Sequence, residues 1–394
     1  RPPRSTLFPY TTLFRSSIHP VHNPSIMYKI LEPACTMKTI LKLVSASIFI
    51  FCLYSCYHPG NRIVINNGKD YLEIRFAGEV RFTEDETAVQ SISNNGFLKY
   101  RKNNRKLSVK YSAEGKLQYQ IEYDGQTLSP ESEEGKKFIS EAIHEMSVNG
   151  LDVQGHFLRL IKKGGYLAVL TEIDRLENDF IKSRYLEYLI KSDSIAPRAM
   201  ADVAKKIETN IGSDFEKSQL LRKFPDNVLT DSVTSMAYLQ AAKSIGSDFE
   251  KANVLKFIAR KPFTQSQCKT IVDVSNTLDS DFEKANMLKE LITKKIYDGE
   301  CFQSLLKSVD QISSDFEKAG LIKLISNQEI RSNAQWVSLI EVTTHLDSEF
   351  ERANALIQIA DKMPPSDDTA LEYLKAAKTI GSDIDYQRTV KALN

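Results

Sequence analysis

Residues 246–257 read GSDFEKANVLKF, and close copies of this stretch recur along the C-terminal part of the chain. In order they are NDFIKSRYL from Asn178, SDFEKSQLL from Ser213, SDFEKANVL from Ser247, SDFEKANML from Ser280, SDFEKAGLI from Ser314, SEFERANAL from Ser348 and SDIDYQRTV from Ser382. Successive starts are 35, 34, 33, 34, 34 and 34 residues apart. A fixed period of roughly 20–50 residues marks stacked supersecondary units, each of which buries its apolar face only against its neighbours.

The motif has the letters of a helix start. Ser213, Ser247, Ser280, Ser314 and Ser348 stand at N-cap positions, with Glu216, Glu250, Glu283, Glu317 and Glu351 three residues on. That is capping-box spacing, in which each side chain satisfies the other residue's backbone N–H. The acids also lie in the first turn, where the helix dipole favours negative charge. In the copy at Ser247, residues Phe249, Ala252, Leu255 and Ile258 follow every three positions and are expected to bury one stripe. Val254 and Phe257 widen that stripe, and Lys251 points away. Upstream, MAYLQAAKSIG and its echo LEYLKAAKTIG read as the preceding helix, closed by Gly246 or Gly381 where a left-handed residue ends a helix. A pair of acids used in catalysis would occur once, in a cleft. This pair occurs at every joint, so the motif reads as scaffold.

A helix pair of this period matches the tetratricopeptide repeat, but the Trp-x-x-Leu-Gly-x-x-Tyr signature is missing and Trp336 stands alone. The pairs look more like a HEAT- or armadillo-like stack. The SDFEK joints also resemble repeat regions of exported bacterial proteins, some attached to beta-lactam-sensor-type membrane metalloproteases. That resemblance covers residues 130–394 at most; it implies a place near envelope sensing and identifies no partner.

At the other end, RPPRSTLFPYTTLFRS has no helical or strand period and resembles a translated sequencing adapter, so residues 1–36 are expected to be a non-native leader. From Met37 a basic start, Lys38 and Lys42, precedes an apolar run from Leu43 to Tyr54. That run is shorter than the ~20 residues of a membrane-spanning helix and suits the core of a signal peptide over residues 37–55. Leu53-Tyr54-Ser55-Cys56 resembles the bacterial lipobox. The resemblance implies cleavage before Cys56 and fatty acylation, palmitate included, of its sulfur and amino group, with a tether over residues 56–61. No acidic run follows Cys56, so an outer-membrane anchor facing the periplasm is expected.

Residues 62–129 alternate apolar and polar positions, as in YLEIRFAG and FLKYRK, with breaks at Asn66-Asn67-Gly68, Asn94-Asn95-Gly96 and Asp124-Gly125. This predicts an antiparallel β domain of five to eight short strands with one buried face. Its interleaved Arg, Lys and Tyr read as the solvated side of the sheet. Near Pro130 helical periodicity takes over, with Phe138, Ile139, Ala142, Ile143 and Met146 at helical spacing. The expected fold class is mostly α: a capping pair over residues 130–164 and a repeat array over 165–394, together an α-solenoid of about eight helix pairs, preceded by the β domain.

Chemical motifs are absent. His144-Glu145 lacks the second histidine of a zinc-protease helix, because position 148 is Val. His58, His156 and His345 have no Cys or carboxylate at ligand spacing, Gly164-Gly165 reads as a break between helices, and no nucleophile elbow, phosphate loop or calcium loop occurs. Neither a catalytic residue nor a metal site nor a cofactor is expected. Cys268 and Cys301 occupy equivalent places in neighbouring units. Packed helices lie about 8–10 Å apart and a disulfide needs Cα atoms within ~7 Å, so the two are expected to be core thiols. Tyr238 and Tyr373, in equivalent first helices, are expected to bridge stacked helices. From Cys56 on, 46 basic residues face 50 acidic ones, which does not suggest nucleic acid. The expected function is a membrane-anchored, non-enzymatic scaffold that binds an envelope protein or peptide. The alternatives are a sensor or regulator whose β domain binds an envelope component, with an exposed pocket in residues 62–128, and an enzyme with a dispersed active site.

Overall fold

The computed structural model describes residues 60–394 apart from 67, 94, 193–194, 228–229, 295–298 and 394. The expected leader, the signal segment, His58, the lipobox cysteine Cys56 and all but the last two residues of the tether lie outside the described residues. No helix among them is long and apolar enough to cross a membrane. The described residues divide into two compact units, with the boundary between Met146 and Ser147.

The first unit holds eight strands: β1 (Asn61–Asn66), β2 (Tyr71–Ala77), β3 (Val80–Phe82), β4 (Val89–Ile92), β5 (Phe97–Lys102), β6 (Arg105–Tyr111), β7 (Leu117–Tyr123) and β8 (Gln126–Leu128). Six of them form an antiparallel sheet in the order β1-β2-β5-β6-β7-β8, and β3 and β4 pair separately. Period-two alternation sends Ile74, Leu98, Leu107, Val109 and Ile121 to a buried face. The two-residue turn at Asp124-Gly125 takes left-handed φ at both positions, 49° and 88°, which matches the twist of the strands it joins.

The same unit includes most of helix α1 (Glu133–Val148), whose Phe138, Ile139, Ala142, Ile143 and Met146 are buried. Phe138 meets the rings of Tyr100 and Tyr123 edge-on at 6.1 and 5.4 Å. Glu145 accepts hydrogen bonds from the Tyr100 hydroxyl and the Lys102 ammonium. Strand gives way to helix at the expected place, near residue 130, while the compact unit continues to Met146 because α1 lies on the sheet.

The second unit begins with α2 (Val153–Ile173), broken at Gly164 and Gly165, where φ and ψ leave the helical region. Residues 166–173 and α3 (Asp179–Ile190) form the first motif-bearing pair. Six more follow: α4 (Met200–Asn210) with α5 (Asp214–Leu221), α6 (Ser232–Lys243) with α7 (Asp248–Ala259), α8 (Gln265–Ser275) with α9 (Asp281–Ile292), α10 (Gly299–Asp310) with α11 (Asp315–Ser326), α12 (Asn333–Thr343) with α13 (Glu349–Ala360), and α14 (Asp367–Ala377) with α15 (Asp383–Ala392). First helices stack on first helices and second on second, giving two layers around one core that runs from Phe157 to Ile380. These are seven pairs among the described residues. The two helical segments of the expected capping pair, α1 and residues 153–163, lie in different compact units.

Cys268 and Cys301 are joined by a disulfide between α8 and α10, with Cα atoms 5.7 Å apart. The expectation of two core thiols is corrected, and the reason is geometric. An interaxial distance of 8–10 Å is not a Cα separation: each Cα lies about 2.3 Å off its axis, so two that face each other come some 4–5 Å closer. Tyr238 and Tyr373 are fully buried and bridge the helix layers, donating to the carbonyls of Leu221 (3.2 Å) and Thr389 (3.0 Å).

Candidate functional site

Every letter of the joint motif has a definite fate. The serine hydroxyls accept from the backbone N–H of Glu216, Glu250, Glu283, Glu317 and Glu351 at 3.3–3.4 Å. The other half of the expected capping box is replaced. The serine's own N–H donates to an acid of the preceding unit, not to the glutamate. Asp179 holds Ser213, Asp214 holds Ser247, Asp248 holds Ser280, Asp281 holds Ser314, Asp315 holds Ser348 and Glu349 holds Ser382, all at 2.6–2.9 Å. Four of these acids also take the N–H of the residue before the serine. Each carboxylate therefore ties one joint to the next, and the acid pairs are spent as structural acceptors. A reciprocal box does form elsewhere, between Thr264 and Gln267 at the start of α8.

Two of the glutamates and the motif's cations stitch the units together. Glu283 faces Lys256 at 3.5 Å and Glu317 faces Lys289 at 3.2 Å. Lys251 does not point away: it is buried, and its ammonium donates to the Thr277 carbonyl at 3.0 Å. Lys182, Lys217, Lys318 and Arg352 reach Asn210, Ser244, His345 and Thr379 in the same way, at 2.7–3.2 Å. Each cation thus sits at the C-terminal end of the next unit's first helix, where unpaired carbonyls and the dipole favour it, and its stem covers apolar surface. Lys284 is buried as well, and burial holds its ammonium below the usual lysine range against the opposing pull of Asp281.

The phenylalanine is the letter left over. Phe249 was expected in the buried stripe, and it is exposed. So are Phe180, Phe215, Phe282, Phe316 and Phe350, by 54–74%, and Ile384 at the seventh joint. At about 100° per residue, nine residues carry the chain two and a half turns, so Phe249 and Ile258 lie on opposite sides of the helix. The buried arc runs through Lys251, Ala252, Val254, Leu255, Ile258 and Ala259, with Lys251 inside it. One apolar side chain per unit therefore faces outward from the layer of second helices. With stacked helices about 8–10 Å apart, these residues form a column with a step of that size.

Along the same face, one helical turn on, stand Gln219, Asn253, Asn286 and Asn354. The equivalent position in α11 is Gly320, and a Cβ built there would meet nothing within 4 Å. A helical side chain leans toward the N-terminus and shades the residue four before it. Gly320 casts no such shade, and Phe316 is the most exposed phenylalanine of the column, at 74%. Beside it opens a notch of about 480 Å³ between α11 and α13, lined by Phe316, Gly320, Lys323, Asn354 and Gln358. Sequence reasoning missed the column because it assigned Phe249 to the core by spacing alone. The signal was present: Phe recurs at a position two residues past each N-cap, at the rim of the apolar arc.

His144 is exposed on α1. His345 pairs with Asp310 at 2.7 Å, and His156 faces Glu172 at 3.6 Å inside the array, partners that sequence spacing could not reveal. Among the described residues no three His, Cys, Asp or Glu side chains are grouped to hold a metal ion. The polar face of the sheet forms a groove of about 940 Å³, in the region where an exposed pocket was anticipated for a sensor. No family model, no curated protein and no solved structure matches the chain.

Proposed function

We propose that this protein is a non-enzymatic scaffold of the bacterial envelope, tethered by lipid on Cys56, whose helical array binds another envelope protein or peptide along the phenylalanine column. The observation that carries the reading is the outward placement of Phe180, Phe215, Phe249, Phe282, Phe316 and Phe350. Exposed apolar groups arranged contiguously mark interaction surfaces, and aromatic side chains dominate binding energy where they are anchored. The serine, the acid after it and the cation serve the joint, and capping and stacking do not account for six copies of a solvent-facing ring. The notch beside Phe316 is the natural seat for an apolar side chain of the partner.

The test uses the full chain in its native host, with Phe249, Phe282 and Phe316 replaced together by Ser. In-cell crosslinking of the parent chain should recover one or two envelope proteins, and the triple variant should lose them while its helix content and unfolding midpoint stay close to the parent's. Recovery of the same proteins by both would sink the reading. The anchor is tested separately: Cys56→Ser should move the chain from the membrane fraction to the soluble fraction.

A further inference from the structure

We infer that the polar face of the six-stranded sheet is a binding site for a small oxyanion carrying at least two phosphate or carboxylate groups. Arg62 lies directly opposite Arg75, Arg75 opposite Lys99, Lys99 opposite Ser108 and Ser108 opposite Gln120, so one row crosses five strands with three consecutive cations and no acid. In the adjacent row Arg101 lies directly opposite Lys106, but Glu73 stands opposite Arg101 and Glu122 opposite Lys106, so that row is balanced. Like charges facing each other across strands destabilise a sheet, so the first row opposes the folding of the unit that carries it.

Two carboxylates on this face relieve only part of that repulsion. Glu73 pairs with Arg62 and Arg75, both at 2.6 Å, and Glu122 pairs with Lys106 at 2.6 Å. Burial pushes the Glu73 carboxyl up, but the hydrogen bonds from Tyr71, Arg75 and Arg62 outweigh it and leave the group below its ordinary range. Among the described residues neither Lys99 nor Arg101 forms an ion pair with a carboxylate, although Arg101 lies directly opposite Glu73. Lys99 lies 5.6 Å from the Phe97 ring centre, and Arg101 lies 5.4 Å from that of Tyr71 while donating to the Asn103 carbonyl. Arg75, Lys99, Arg101 and Lys106 line the groove of about 940 Å³ together with Glu73 and Glu122, so four cations face two carboxylates there, and one wall is the chain leaving β8 at Thr127–Pro130. Pockets for small molecules run to roughly 300–1,000 Å³, so the size fits. Neighbouring strands are about 4.8 Å apart, so the row presents charges at about that interval, with hydroxyl and amide donors at its far end. Guanidinium groups add paired N–H donors suited to phosphate or carboxylate.

The test is calorimetric titration of the full chain with inorganic triphosphate at low salt, with sulfate at matched ionic strength as the reference anion. Triphosphate should bind and sulfate should not compete appreciably. Lys99→Gln should weaken binding by about tenfold, the order expected for loss of one charge-assisted contact. The same variant should raise the unfolding midpoint of the free protein, because it breaks the cationic row. Lys136→Gln, the same charge change on exposed α1, should do neither. The inference is overturned if triphosphate does not bind, if both variants weaken binding equally, or if Lys99→Gln leaves affinity unchanged. Binding confined to vesicles of anionic phospholipid, with none to triphosphate, would also overturn it, in favour of a membrane-facing sheet.

Discussion

The second helices of the array and the sheet of the β unit each present a face to solvent, and they furnish it in opposite ways. The array repeats a single apolar residue at six joints, Phe180 to Phe350, with Gln219, Asn253, Asn286 and Asn354 one turn on at four of them. The sheet repeats nothing, and it sets Arg62, Arg75 and Lys99 side by side in one row. In the array the exposed residue is indifferent to the fold, because the capping, tying and stitching are done by its neighbours in the motif. In the sheet Glu73 and Glu122 offset part of the charge, and what they leave uncompensated, at Lys99 above all, acts against the fold. A long partner read once per unit would leave the first signature, and a compact charged ligand would leave the second.

The comparison predicts a steep divide between inside and outside on a single helix. Leu255 is fully buried in α7, six residues from exposed Phe249. Leu255→Ala should cost about 2–5 kcal/mol in a urea titration of the full chain, the range for truncating a buried leucine. A cost no larger than that of Phe249→Ala would erase the distinction on which the column rests. Slightly below this comes the disulfide. Replacing Cys268 and Cys301 together by Ser should lower stability by about 2–4 kcal/mol without changing helix content, since it frees a loop in the unfolded chain. Loss of helix content would instead mean that the first-helix layer depends on the bond for its register.

These two effects separate what the sequence disclosed from what it hid. The period, the N-caps, the Gly164-Gly165 break and the helix-bridging tyrosines were legible, because each depends on local spacing or on a residue with one conformational use. Phe249 and Lys251 were both assigned to the wrong side. An every-third-residue rule drifts by about 60° per step around a 3.6-residue helix, so it sweeps Phe249 off the core. Hydropathy, for its part, cannot foresee a lysine whose head finds a carbonyl one unit further on. The sheet's charged row was invisible for another reason: strand register is a long-range property, and the 23 residues between Arg75 and Lys99 hold no sign that they pair.

Between units, the acids give a middle-sized effect. Asp281→Ala leaves the N–H groups of Ser313 and Ser314 without their acceptor, and should cost about 1–3 kcal/mol. Ser280→Ala, which removes only a cap, should cost about 0.5–2 kcal/mol. Equal costs would return Asp281 to the role of a simple first-turn acid. A smaller, pH-dependent effect belongs to Glu187, whose carboxyl is held down to about 2 by hydrogen bonds from Lys191 and Lys223. The folded value lies below the ordinary 4.5, so its contribution is present above that pH and is lost as pH falls toward 2. Unfolding midpoints measured across this window should fall more steeply for the parent than for Glu187→Gln, and identical slopes would show that the two lysines do not hold the group.

The smallest effects are those of the column itself, and they discriminate most sharply. Gly320→Ala meets no steric obstacle and should raise stability by about 0.5–1 kcal/mol, because glycine is costly inside a helix. A chain that keeps Gly320 against that gain keeps the space beside Phe316. Phe316→Ser should then change stability by no more than about 0.5 kcal/mol, as expected for a surface site, whereas a phenylalanine packed into the fold would cost about 3–5 kcal/mol. A loss on the larger scale would mean that the ring folds back against α13 in solution. The column would then be part of the array's own packing, and only the sheet would present a face made for a ligand.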